Sequence, residues 1–201
     1  ERLFKTYSYN KKFYLSKSIS VEFFDAKHIP GSSSIMIYLN QKNGQKKILF
    51  SGDVGSGLDN LMKGKPDTPS YVDFVFIEST YGAKKRKLSK TPFKEFHKDL
   101  NNALLNENIV WIPSFVLDRT QKVLNTIKKG QLGGRLPENI DIKIVSPTAK
   151  KINAIYDKYH DYRPKYVDES FSMSASKLES ILYGSKILIT PSYVDGIDTF
   201  H

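Results

Sequence analysis

Three ionisable side chains, His28, Asp53 and Glu78, each follow an apolar run that is typical of a buried β-strand. Each lies 25 residues from the next along the sequence. A buried ionisable group needs a partner, a hydrogen-bond network or a metal ion, because burial removes the water that solvates its charge. Imidazole and carboxylate are ligands that Zn²⁺ binds readily. Three such groups at the ends of three neighbouring strands therefore predict a metal-centred active site.

Each of the three residues also has an ordinary structural interpretation. A lone histidine such as His28 is more often a core or loop residue than a ligand. Asp53, in Ser-Gly-Asp, is typical of a turn. Glu78 could be a loop carboxylate with an ordinary ion pair. The joint pattern favours a site over three separate coincidences.

Composition limits the class of protein. The 201 residues suffice for one large domain or two small ones, and 39% of them are hydrophobic. There is no cysteine, which excludes disulfides and thiolate metal ligands and agrees with a cytoplasmic protein. No apolar run approaches the length of a membrane span, and the N-terminus has no signal-peptide core. The first residue is not Met, so we expect a piece of a longer protein.

The net charge of +10 predicts a polyanionic partner, because many Lys and Arg side chains create a potential that attracts phosphates. The clearest basic cluster follows Glu78 directly and consists of Lys84, Lys85, Arg86 and Lys87. A solvated loop is the alternative interpretation of this cluster. A basic protein without a special partner is the alternative for the whole chain.

The first part of the chain is predicted to be rich in β-strands. Strands are expected at residues 19–25, 34–39, 47–50 and 72–77. The Asn-Gly pair at residues 43–44 indicates a hairpin between the second and third of them. A basic, turn-rich stretch follows, and it divides the chain into residues 1–90 and 91–201.

The second part alternates helices and strands. Helices are predicted to begin at Pro92, after Asp118 and at Pro147, and the second of them is expected to end near Gly130. A further helix is expected at residues 174–182. Strands are expected at residues 109–112, 140–145 and 186–189. This alternation predicts an α/β fold with a parallel sheet and helices on its faces.

Three of the strand ends in the second part carry serines, namely Ser114, Ser146 and Ser192. The ends of parallel strands share one edge of the sheet, where helices begin and where ligands bind in open α/β sheets. Hydroxyl groups and helix N-termini together suit a phosphate. Simple helix capping is the alternative role of these serines.

Four segments resemble motifs of the metallo-β-lactamase-fold nucleases of the β-CASP group. Residues 27–32 (Lys-His-Ile-Pro-Gly-Ser) are similar to the family's Gly-His-x-x-Gly-Ser loop, and residues 51–53 to its Ser/Thr-Gly-Asp turn. Residues 78–82 match the Glu-Ser-Thr-Tyr-Gly segment that opens the β-CASP domain. Residues 113–121 look like the segment Pro-x-Phe-Ala-x-Gly-Arg-x-Gln. The resemblance covers about residues 20–201.

The resemblance implies a fold and a role for each residue. Residues 1–90 match part of a metallo-β-lactamase αββα sandwich, and residues 91–201 match part of a β-CASP domain with a mainly parallel sheet flanked by helices. His28 matches an imidazole ligand of one metal, Asp53 a carboxylate that bridges two metals, and Glu78 the acid that orients the histidines of the site. Two Zn²⁺ ions are the implied cofactors, with Mn²⁺ as the alternative; such a pair activates a water and clamps phosphate oxygens.

The chain also departs from the family pattern. The His-x-His-x-Asp-His signature, which lies upstream of the His28 loop in the family, is absent. We therefore expect the chain alone to be inactive. Lys27 and Asp118 stand where the family has glycine, and His201 matches no ligand.

The function that the resemblance implies is a ribonuclease of the RNA-processing branch, similar to the polyadenylation-factor nuclease and its bacterial homologues. Single-stranded RNA is the expected substrate, a homodimer is a further expectation, and no membrane partner is expected. Arg119 is expected to hold a substrate phosphate or a carboxylate across the domain junction, and a solvent-facing surface arginine is the alternative. Two other functions stay open: a non-catalytic scaffold subunit, and a hydrolase of a small ester or thioester.

Overall fold

The computed structural model describes residues 3–57, 61–62, 64–83, 91–106, 108–158, 167–169 and 186–191 of the chain. The chain divides into two compact units, Glu1–Arg86 and Lys87–His201. The assignment of residues 1–90 and 91–201 to parts of the two family domains stays a prediction.

The first unit is built on one mixed β-sheet. Its strands are β1 (Phe13–Tyr14), β2 (Ile19–Asp25), β3 (Ser33–Gln41), β4 (Gly44–Phe50) and β5 (Phe74–Phe76). They lie side by side in the order β1-β2-β3-β4-β5. The first four strands pair antiparallel, and β5 pairs parallel to β4.

The alternation of side chains along β3 explains its place in the sheet. Ser34, Met36 and Tyr38 are buried on one face, whereas Ile35, on the other face, is exposed. The predicted hairpin that joins β3 to β4 is confirmed. Its turn lies one residue earlier than the Asn-Gly pair, because Gln41 pairs with Gly44, which takes the positive φ of 121°.

Strand β5 differs from the expectation of a buried strand over residues 72–77. It spans only Phe74–Phe76, and the side chains of all three residues are exposed. The physical reason is its place at the edge of the described sheet, where β4 is its only neighbour in the described part of the unit. The ring of Phe76 stacks on that of Phe50, with centroids 4.8 Å apart.

The second unit is a parallel α/β structure, as the sequence predicts. Its elements are α1 (Pro92–Leu105), β6 (Val110–Ser114), α2 (Arg119–Leu132), β7 (Ile142–Val145), α3 (Pro147–Tyr156), β8 (Val167–Glu169) and β9 (Ile187–Pro191). The strands lie in the order β6-β9-β7-β8, and every pair is parallel. Buried aliphatic side chains from α2 and from the two central strands form its core, including Leu124, Ile127, Ile144, Ile187 and Ile189.

The predicted helix starts are confirmed. Helix α2 ends at Leu132, two residues beyond Gly130, near which its end was predicted. Gly130 itself lies in the last turn, where a Cβ would come within 2.9 Å of the His97 ring and 2.7 Å of Leu136. The glycine thus serves close packing and not helix termination. The helix expected at residues 174–182 lies outside the described residues.

Among the described residues, no helix has the length and apolar character needed to cross a membrane.

Candidate metal centre

The topology of the first unit brings three strand ends to one edge of its sheet. Strand β3 runs antiparallel to both β2 and β4, and β5 runs parallel to β4. Strands β2, β4 and β5 therefore run in the same direction. The segments that carry His28, Asp53 and Glu78 leave the sheet at the same edge, the one formed by the C-terminal ends of these strands. The expectation of three neighbouring strands needs correction, because β3 lies between β2 and β4.

His28 and Asp53 face each other at this edge. The Nε2 atom of His28 lies 3.9 Å from Oδ2 of Asp53, and their side chains are 41% and 74% exposed. Two ligands that each lie about 2.1 Å from one ion can be at most about 4.2 Å apart. The observed separation is therefore compatible with two ligands of one metal ion. The expectation that His28 and Asp53 are buried is therefore wrong, because the loops that carry them lie at the surface and leave both side chains accessible to solvent.

The backbones of the two loops that carry His28 and Asp53 are in direct contact. The amide of Gly55 donates to the carbonyl oxygen of Ala26 over 2.8 Å. A Cβ at residue 55 would lie only 1.9 Å from the carbonyl oxygen of Lys27, so this approach requires glycine. The His28 loop is closed on itself, because the His28 amide donates to Oγ of Ser32 over 3.0 Å.

Glu78 holds the Asp53 loop from the other side. Its Oε1 accepts the amide of Val54 over 2.6 Å, and its Oε2 accepts the hydroxyl of Thr80 over 2.6 Å. The hydroxyl of Thr80, the amide of Val54 and the nearby His28 lower the pKa of Glu78 below its ordinary value, although desolvation opposes them. Both carboxylate oxygens are thus in use, which suits a carboxylate that orients its neighbours better than a direct ligand.

The sequence did not single out Gly55, Val54 or Thr80. Thr80 lies in the Glu-Ser-Thr-Tyr-Gly segment, so its place two residues after Glu78 was a usable signal. The role of Gly55 depends on the contact between two loops, which no local pattern encodes.

Within the described part of the chain, no group of three or more His, Cys, Asp or Glu side chains is arranged to hold a metal ion. His28 and Asp53 are thus a pair of ligand-type residues, with Glu78 hydrogen bonded beside them. Their chemistry, an imidazole and a carboxylate, suits zinc or manganese.

The residues predicted to bind substrate lie in different settings. Ser114 is buried at the end of β6, and Ser146 is buried at the start of α3, where its hydroxyl accepts the amide of Ala149 over 3.1 Å. The capping alternative is therefore observed for Ser146. Arg119 is exposed in the first turn of α2. The remaining predicted residues, Ser192 and the cluster Lys84, Lys85, Arg86 and Lys87, lie outside the described residues.

Both non-glycine departures from the family motifs adopt a left-handed backbone. Lys27 has a φ of 54° and Asp118 a φ of 68°, in the region that glycine favours. The φ values explain why these two positions suit glycine. The amide of Lys27 donates to the carboxylate of Asp25, which helps to hold this conformation.

A pair of ligand-type side chains at the edge of a mixed sheet, with a parallel α/β unit later in the sequence, is the arrangement that the family motifs imply. No protein-family model matches the chain. Comparison with curated proteins finds RNases. The chain is 39% identical over 119 residues to the probable RNase MJ4 of Methanocaldococcus jannaschii, which covers 58% of the chain and 27% of that protein.

Two further relatives match a larger share of the chain. Ribonuclease TTHA0252 of Thermus thermophilus is 29% identical over 154 residues, which is 77% of the chain and 34% of that protein. Cleavage and polyadenylation specificity factor subunit 3 of Dictyostelium discoideum is 28% identical over 156 residues, or 78% of the chain and 20% of that protein. The chain thus spans about a third or less of the length of these relatives.

These relatives bear names of RNA-processing nucleases, and the resemblance to the β-CASP group stated from the motifs is confirmed. The mixed α/β class is confirmed as well.

Proposed function

We propose that the protein to which this chain belongs is a metal-dependent ribonuclease that hydrolyses phosphodiester bonds of RNA. The observation that carries the proposal is the convergence of His28, Asp53 and Glu78 at one edge of the first sheet. The names of the relatives support RNA over a small ester as the substrate class.

Each of the three residues has its own role in this proposal. His28, through its imidazole, and Asp53, through its carboxylate, would hold the metal. Glu78 stays ionised and holds the amide of Val54, which fixes the loop that presents Asp53. Two Zn²⁺ ions, or Mn²⁺ in their place, supply an activated water and neutralise charge on the phosphate when bound.

The substrate is proposed to be single-stranded RNA. The net charge of +10 supports a polyanion, and phosphate contacts make such binding weaken as salt rises. Arg119, Ser192 and the basic cluster at residues 84–87 are proposed phosphate contacts, whereas Ser114 and Ser146 are buried and are no longer proposed as contacts. A cytoplasmic location and a homodimer stay predictions of the sequence.

The test is Asp53→Asn in the full-length protein, with Asp73→Asn as the matched control. Asp73 carries the same side chain in the same unit, but it accepts hydrogen bonds from Lys46 and Lys47, away from the ligand pair. We expect Asp53→Asn to lower both the bound metal, measured by elemental analysis, and the cleavage rate of a labelled single-stranded RNA. The rate should fall by more than about 100-fold, the upper end of the effect of an outer-shell change.

Wild-type metal content and rate in Asp53→Asn would contradict the metal assignment. A wild-type protein that hydrolyses a small ester and leaves RNA intact would favour the ester hydrolase. A wild-type protein that binds RNA but neither binds metal nor cleaves would favour the scaffold subunit.

A further inference from the structure

In the loop between β6 and α2, exposed and buried side chains alternate. Phe115 is 65% exposed, Leu117 is 45% exposed, and Arg119, the first residue of α2, is exposed as well. Between them Val116 is half-buried and Asp118 is buried. The side chains that alternate outward are thus an aromatic ring, an aliphatic chain and a guanidinium group.

The buried polar groups hold this loop in one shape. The amide and the hydroxyl of Thr120 both donate to the carbonyl oxygen of Phe115, over 3.1 and 2.9 Å. The side-chain amide of Gln121, which is fully buried, donates to the carbonyl oxygen of Val116 over 3.0 Å. Asp118 completes the turn in the left-handed region, and its carboxylate pairs with Lys122.

The same hydrogen bonds bring the two ends of the loop together. Because Thr120 binds the carbonyl of Phe115, the backbone of Phe115 lies beside the first turn of α2, which begins at Arg119. Gln121 also donates to Oδ1 of Asn153 over 2.8 Å, and this bond ties the loop to α3. The outward side chains therefore extend from a backbone that is fixed before any ligand binds.

An exposed aromatic ring on a fixed backbone, four residues before an exposed guanidinium group, suits an unpaired nucleobase with its phosphate. Stacking of a base on an aromatic ring contributes about 1–3 kcal/mol, and it needs an accessible ring. A guanidinium group binds a phosphate through two parallel hydrogen bonds. A purely apolar partner would use Phe115 and Leu117 but would gain nothing from Arg119.

We propose that Phe115 and Arg119 form a stacking site for one unpaired nucleobase and the adjacent phosphate of the RNA substrate. The inference rests on the proposed function and extends it to a named residue that recognises a base. The site would favour single-stranded over double-stranded RNA, since a paired base cannot stack on the ring.

The experiment measures how tightly the full-length protein binds a fluorescent single-stranded RNA, with EDTA present to prevent cleavage. The variants are Phe115→Leu, which stays apolar but cannot stack, and Phe115→Trp, which can. Phe93→Leu, at another exposed phenylalanine of the second unit, is the matched control. A set of RNAs with one abasic site at each successive position locates the stacked base.

Phe115→Leu should weaken binding about 10-fold, within the range that the loss of one stacked base allows, whereas Phe115→Trp and Phe93→Leu should bind like the wild type. The abasic site at one position should abolish the difference between wild type and Phe115→Leu. In the wild type, 2-aminopurine at that position should lose fluorescence on binding. Arg119→Lys should also weaken binding, because an ammonium group cannot make the two parallel hydrogen bonds of a guanidinium group.

Equal affinities of wild type and a folded Phe115→Leu, or an equal loss at every abasic position, would overturn the inference. So would 2-aminopurine fluorescence that does not change on binding at any position, a readout that needs no variant. If the protein cleaves RNA normally, any of these three results would overturn the stacking site but not the proposed function. A wild type that neither binds nor cleaves RNA would overturn the proposed function as well.

Discussion

Gly55→Ala tests whether the candidate metal centre depends on the close contact of its two loops. The Cβ atom of an alanine at residue 55 would lie 1.9 Å from the carbonyl oxygen of Lys27 and 2.3 Å from its carbonyl carbon. Both are backbone atoms, so no change of rotamer relieves the overlap. The loops must separate by at least 1.1 Å to reach the 3.0 Å below which real Cβ contacts essentially never occur.

This separation is large compared with the tolerance of a metal site. Ligand distances in such sites vary by only about 0.2 Å. A displacement of about 1 Å at a reacting centre can cost about 100-fold in rate. The hydrogen bond from Gly55 to Ala26, now 2.8 Å, would also be stretched or lost. We therefore expect Gly55→Ala to lower metal content and to reduce RNA cleavage by about 100-fold.

The assay compares Gly55→Ala with Gly82→Ala in the full-length protein. At Gly82 a Cβ would be no closer than 3.3 Å to its nearest neighbour, an atom of Ser79, so the same chemical change meets little obstruction. Elemental analysis gives the metal content, a labelled RNA gives the rate, and urea unfolding gives the stability. Overpacking should cost Gly55→Ala about 1–3 kcal/mol of the free energy of unfolding. A folded Gly55→Ala protein with wild-type metal content and rate would refute the argument.

Two further predictions concern the stability of the first unit. Lys27→Val should lower the free energy of unfolding by more than about 1 kcal/mol relative to Lys27→Gly in urea titrations, because a β-branched residue is strained at a φ of 54°. Burial and the hydrogen bond to Glu22 raise the pKa of Tyr38 to about 12 from its ordinary value of 10.0. Unfolding measured against pH should show stability that is full below pH 10 and falls as pH rises through about 12, whereas Tyr38→Phe should lack this fall.

Each of these two predictions has an internal control. Both Lys27 variants lose the ion pair with Asp25, so their difference reports the backbone and not the charge. Equal stabilities of the two variants would show that the left-handed conformation carries no strain. For Tyr38, parallel alkaline profiles of wild type and Tyr38→Phe would show that another group titrates.

The sequence predicts the strands that position the candidate centre, because these strands follow from local patterns. Apolar runs mark β2, β4 and the position of β5, and a polar residue follows each run at the strand end. A hairpin between β3 and β4 makes β2 and β4 parallel in direction, so His28 and Asp53 must leave the sheet at the same edge. The 3.9 Å between their side chains agrees with this reasoning. Their roles as metal ligands stay predictions.

The features that the sequence does not predict depend on contacts between distant segments. The short strands β1 and β8 have two and three residues, too few to show a periodicity. Gly130 lies two residues before the end of α2, and its contact with His97, from α1, leaves no room for a side chain, which no local pattern encodes. Strand β5 is exposed because it lies at the side of the described sheet. The apolar run over residues 74–76 does not indicate that position.

At one position in each unit the chain has another residue where the family has glycine, and both residues adopt a positive φ. Lys27 and Asp118 each adopt the left-handed backbone at a cost of about 1 kcal/mol or more, and each forms an ion pair. Each comes directly before a residue proposed to act, His28 in one case and Arg119 in the other. The direction in which the chain enters both residues is therefore set by a left-handed turn. Glycine can adopt this turn without strain. At Lys27 and Asp118 the ion pairs of the side chains help to hold the same turn. Both loops can therefore keep the backbone shape that their proposed roles need without a glycine.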